Sequence, residues 1–264
     1  MRLRHPLRVG IATLAVTAAL GAASALPTVA AASVSPSAAP TSSSSPTPSP
    51  SPAGKVGGCV GSPSAILACI KSRAATAISN RETALRQMTT DINDSADITS
   101  SDKSTLLGQI QADESGLTAL NATVQADTTA QQAWTDAQTI VTGYRVYLLE
   151  APKVHLVIVA DTEGTVESHI SSVMPALQTA ITDSTASAAN KAKAQTAYND
   201  CNSQLAAAES ASSGIVSEVI DLLPSGYPGN QPTLVSARQS AETARQELGT
   251  CRTDINTIRS ALGI

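Results

Sequence analysis

Residues able to do acid/base or metal chemistry gather most densely between positions 155 and 169, where Asp161, Glu163, Glu167 and His169 follow His155. Carboxylates and imidazoles hold a divalent cation or move a proton when several converge on one point. On a helix Glu163 and Glu167 share a face, because residues four apart are neighbours, but Asp161 and His169 do not fall beside them at ligand spacing. Neither H-E-x-x-H nor E-x-x-H occurs. A solvated helix surface is therefore the expected role of these side chains. The four cysteines lack the paired C-x-x-C spacing of a zinc site. Serine is abundant, yet no G-x-S-x-G elbow and no S-x-x-K with its partner motifs is present. No catalytic residue, no metal site and no cofactor is expected.

A second chemistry-bearing pattern is a file of guanidinium groups. Arg238, Arg245, Arg252 and Arg259 recur every seven residues, which sets all four in one line along a helix. Such a line is either an ordinary charged flank that covers apolar surface with its methylene stems, or a row that receives an acidic partner helix or an anionic wall polymer. Glu209 is placed to pair with Arg245 across a hairpin, with Val216, Asn202 and Gln195 facing the other three.

The elements that position these residues are helical. Ala194, Tyr198, Cys201, Leu205, Ala208, Ser212, Ile215, Val219 and Leu222 alternate steps of four and three. Leu234, Ala237, Ala241, Ala244, Leu248, Cys251, Ile255, Ile258 and Leu262 do the same after the loop PSGYPGNQP. Both are seams of the coiled-coil kind. Folding one on the other with a midpoint at Gly226, inside the loop, brings Cys201 to Cys251, Ala208 to Ala244 and Ile215 to Ala237. A bond there closes a loop of about fifty residues and contributes roughly 3 to 4 kcal/mol. Cys59 with Cys69 is the remaining pair. Four cysteines allow three connectivities, and the crossed ones would tie the N-terminal helix to this hairpin.

Upstream, Ser62 and Pro63 form a helix start, followed by Leu67, Ile70, Ala74, Ile78, Leu85, Met88 and Ile92, with an end near residues 93–96. Thr99 with Asp102 opens a second helix carrying Leu106, Ile110, Leu117, Leu120 and Val124. An antiparallel pair over 62–126 is expected. The middle, 127–184, is less regular: 128–142 reads as helix, and YRVYLL at 144–149 as an extended or hinge piece. A long helix from Pro152 follows, bent at Pro175. A strand pair at 144–149 and 153–160 is the competing reading. VHLVIVA at 154–160 is apolar on all sides; seven residues are too few to cross a bilayer, so a centrally buried helix is expected rather than a membrane-inserting one.

The N-terminus has the parts of an export signal. Arg2, Arg4 and Arg8 precede an apolar run from Val9 to Leu20, and Ala30, Ala31 and Ala32 supply a cleavage site. A signal peptide over 1–32 is expected, with no transmembrane anchor after processing. Residues 33–55, rich in Ser, Thr and Pro, read as a disordered linker, either a spacer carrying the folded part outward or a passive connection. The helical domain is then 56–264, ending in the disulfide-linked hairpin 185–264. Removing three of 17 basic residues leaves 14 against 21 acids, a formal charge of −7. That balance excludes nucleic acid as an expected partner, since phosphate neutralisation needs a basic face. Absence of Phe, a single Trp and abundant Ala suit thin helical packing. The fold class expected is all-α, an elongated antiparallel bundle of coiled-coil hairpins with about five helices.

Two stretches, GYRVYLLEAPKVHLVIVAD at 143–161 and LLPSGYPGN at 222–230 with the ARQ and CRT heptads after it, resemble a group of secreted, coiled-coil-like helical proteins of actinobacteria without assigned activity. The resemblance implies a Gram-positive cell-envelope or extracellular setting and no catalytic residues. Together with the residue patterns it leads to the expectation of a secreted structural or interaction module of the cell envelope. Its partner would be a protein or an anionic wall polymer. A binding or regulatory protein for such polymers or for a secreted enzyme is the alternative, followed by an enzyme of unannounced type and a membrane-active helical protein.

Overall fold

The structure, a computed structural model, describes residues 54–264. The expected signal peptide at 1–32 and residues 33–53 of the expected linker lie outside the described residues. The folded part begins slightly earlier than the composition suggested. Gly54–Val56 (β1) pairs antiparallel with Cys59–Gly61 (β2), so Gly54 and Lys55 belong to a hairpin rather than to the linker. Gly57 and Gly58 make its turn with positive φ, a conformation glycine adopts without steric cost.

Apart from that hairpin the described chain is all-α. Five helices have 25 residues or more: α1 (Pro63–Asp94), α2 (Ser100–Ala126), α4 (Ala151–Asp183), α5 (Ala188–Ser212) and α7 (Gln231–Leu262). Two are shorter, α3 (Ala130–Thr142) and α6 (Ile215–Val219). Hydroxyl N-caps fix four of the starts. Ser62, Thr99, Thr129 and Ser187 each accept a hydrogen bond from the backbone N–H three residues on, which satisfies a donor the helix leaves orphaned. Among the described residues no helix is long and apolar enough to cross a membrane.

α1 and α2 form the expected antiparallel pair. Lys71 Nζ donates to the Gln125 carbonyl at 2.7 Å and Gln125 Nε2 returns a bond to the Lys71 carbonyl. At the other end Lys103 Nζ reaches the Asn93 carbonyl. Both crossings are centred on Ile98, itself buried in the connection. Fully buried Leu85, Leu106, Leu117 and Val124 fill the seam between them, at about 1.5–3 kcal/mol per side chain.

The middle departs from expectation. Residues Val146–Glu150 form a π-helical turn that feeds directly into α4, and no strand pair forms there. α3 ends at its cap residue Gly143, and Arg145, just before the π turn, takes a left-handed conformation (φ 45, ψ 32). Tertiary burial overrides the β-propensity of YRVYLL: Val146 and Leu149, three apart, both turn inward. The 154–160 run is a buried helix as read, with Val154, Leu156, Val157 and Ala160 inside, although His155 is exposed. α4 continues through Pro175 to Asp183 as one helix.

The last hairpin has the register that its cysteines imply. Cys201 is bonded to Cys251 and Cys59 to Cys69. Ala194, Ala208, Ala237 and Ala244 are completely buried along the seam. The first seam is not continuous, however. α5 stops at Ser212, and a turn at Ser213 and Gly214 precedes α6; a Ser-Ser-Gly run is poor helix former. Leu222 lies beyond α6 in the loop.

The apolar interior consists of three clusters arranged in series. One joins α1, α2, α3 and α6 with the first part of α4 and of α7. The second packs Ile170 and Met174 of α4 against Cys201 and Leu205 of α5 and Leu248 of α7. The third closes the far end with Ile181, Ala194 and Ile258.

Candidate interaction surface

The heptad arginines stand where the spacing put them, on the exposed side of α7. Arg238, Arg245, Arg252 and Arg259 are all exposed. At 1.5 Å per residue they recur at intervals of about 10 Å and span about 30 Å. Their partners differ from expectation. Arg245 does not pair with Glu209; its Nε lies 3.9 Å from Glu163 Oε1 on α4. The reason is three-helix packing: α4 lies against both α5 and α7 and brings its own acid to the arginine. Arg238 Nε bonds Glu242 Oε1 at 3.0 Å within α7, with both side chains more than half exposed, so that pair adds little stability. Among the described residues Arg252 and Arg259 have no carboxylate within ion-pair distance.

The acids at 161–167 are not all solvated surface. They project from α4 toward three different helices. Asp161 Oδ2 accepts the Thr99 backbone N–H at 2.9 Å at the start of α2. Glu167 Oε1 accepts the Ser212 hydroxyl at 2.9 Å at the end of α5. Glu163 is buried, at 6% exposure, and neither of its carboxylate oxygens has a hydrogen-bond partner. Burial pushes its pKa up to about 7; Arg245 opposes the shift and Glu167 adds to it. Partial desolvation by its neighbours lowers the pKa of His155 even though the residue is exposed, helped by Arg245 and Arg238. His169 remains on the exposed surface. The set is thus scattered, and it forms no three-ligand group among the described residues.

A polar junction that the sequence did not announce lies at the start of α4. Lys153 Nζ sits 2.8 Å from Glu150 Oε2, with both side chains at 3% exposure or less. The same ammonium donates to the Leu222 carbonyl at 3.2 Å. Beside it, Asp113 of α2 has its pKa raised to about 7 by burial and then by Glu150, with Lys153 opposing. Gln109 Nε2 donates to the Ile220 carbonyl at 2.9 Å. The Arg145 guanidinium lies 4.8 Å from the centre of the Tyr227 ring. These bonds hold the 220–227 loop onto α2 and α4. Their only sequence signal is a Glu and a Lys three apart flanking Pro152.

No family model, curated protein or solved structure matches the chain.

Proposed function

We propose that this protein is a secreted structural or interaction module of the cell envelope that has no catalytic activity of its own and engages its partner through the outer edge of α7. The observation that carries the reading is the arginine file. Four guanidinium groups on one helix, two of them without a carboxylate nearby among the described residues, offer evenly spaced donors to an anionic chain. They stand out against a chain whose acids outnumber its basic residues, 21 to 17. The disulfide at Cys201–Cys251 holds α7 to α5. The charged, apolar and small-residue order of the first 32 residues supports export, and the resemblance to secreted actinobacterial helical proteins supports the envelope setting.

The partner best suited to such a file is an anionic wall polymer; an acidic helix of a second protein is the alternative. Replacing all four arginines by Gln is expected to release the protein from the envelope fraction into the medium, with an unchanged circular dichroism spectrum. Retention equal to that of the parent chain would overturn the reading.

A further inference from the structure

A cleft of about 320 Å³ lies between α1 and α3, at the end of the molecule away from the arginine file's last members. Its floor and walls are Ile70, Ala74, Ala77, Ala137 and Ile140, and the indole of Trp134 lines one side. That volume is at the small end of the range for ligand pockets. Two further lining residues are Arg73 and Arg81, and no acid lines the cleft.

The β-hairpin closes one side of it. Gly57 lies so close to Trp134 that a Cβ there would stand 2.3 Å from the ring, so only glycine fits. Arg73 Nη1 donates to the Gly57 carbonyl at 2.9 Å, and the Cys59–Cys69 bond ties the hairpin to α1. The wall is therefore built rather than incidental. Arg81 is held at its own position by a bond from Nη1 to the Ala77 carbonyl and by the Tyr147 ring 5.4 Å from its guanidinium carbon. Its Nε is buried and has no acceptor, so the guanidinium is left short of a hydrogen-bond partner in this structure.

From these features we infer that the cleft binds a small amphipathic carboxylate, an acyl or aryl acid. Its apolar body lies against Trp134 and the alanines, and its carboxylate pairs with the Arg81 guanidinium, while Arg73 adds positive charge at the rim. An apolar slot with cationic groups and no lining acid selects the acid over its neutral alcohol, because a carboxylate accepts charge-assisted bonds that a hydroxyl cannot match.

Trp134 is the only tryptophan of the chain, so its emission reports on this cleft alone. The test titrates the full chain with 8-bromooctanoate, whose bromine quenches an indole in contact, in competition with octanoate and octanol. Saturable quenching is expected, reversed by octanoate, with octanol at least about tenfold weaker. Arg81→Gln is expected to weaken octanoate roughly tenfold and to remove the preference over octanol, with its circular dichroism unchanged. If that variant does not fold, Arg73→Gln on the exposed rim decides in the same way. Quenching that never saturates, octanol equal to octanoate, or a preference that survives the Arg substitution would each overturn the inference. So would quenching that weakens as protein concentration rises, which would mean that a second copy of the chain fills the cleft.

Discussion

The C-terminal hairpin and the junction at the start of α4 are held together by opposite means. Between α5 and α7 the contact is a dry seam of alanines closed by a disulfide, with Ala194, Ala208, Ala237, Ala244 and both cysteines fully buried. Small side chains bury little area each, so this seam depends on close backbone approach and on the cross-link. Where α2, α4 and the 220–227 loop meet, the interior instead contains an ion pair, a half-buried aspartate and carbonyls satisfied by side chains. Chain entropy limits the first region and desolvation limits the second, so different perturbations should find them.

The largest effect is expected at the junction. Lys153→Met leaves Glu150 buried without its partner, which should cost about 3–5 kcal/mol in denaturant unfolding. Adding Glu150→Gln should recover most of that loss. If the single variant is neutral, the ion pair does not hold the region.

Next comes the hairpin. Replacing Cys201 and Cys251 by Ser should lower stability by about 3–4 kcal/mol, as expected for the fifty-residue separation of this bond. The Cys59–Cys69 bond spans ten residues, and its removal should cost only about 2–3 kcal/mol. Equal losses would show that the dry seam is not the region in need of its cross-link.

The smallest effect is a pH dependence. Glu163 and Asp113 both have folded pKa values raised to about 7. A raised acid binds more protons folded than unfolded between its unfolded value, near 4, and 7. Stability should therefore fall as pH rises through that window, by about 1–2 kcal/mol per site after allowance for water screening, and then level off. Glu163→Gln should flatten its share of the slope and stabilise the protein at pH 7.5 while changing little at pH 4.5. A loss at pH 7.5 would mean that the Arg245 contact outweighs desolvation.

This contrast also explains which parts were legible in the sequence. Heptad spacing, the non-helical PSGYPGNQP loop and two cysteines equidistant from Gly226 carry local information, and they specify the hairpin's register without reference to other elements. Ser62 and Thr99 announce their helices for the same reason. Burial of Glu163 and the Glu150–Lys153 pair depends on what packs over α4, and nothing in a helix's own period reveals whether a third helix covers it. Arg245 shows the consequence. The hairpin alone offers it Glu209, whereas the three-helix arrangement supplies Glu163. YRVYLL fails differently: its residues favour a strand, and the inward turn of Val146 and Leu149 against distant helices decides for a π turn. The break at Ser213 and Gly214 was readable from propensity, but the unbroken apolar rhythm concealed it.

The three apolar clusters lie in series, yet α4 and α7 each contribute side chains to all of them. Releasing either helix therefore opens every cluster at once. Amide hydrogens in the middle of α4 and α7 should therefore be among the slowest of the protein to exchange, with protection falling toward Ile181 and Ile258 at the helix ends.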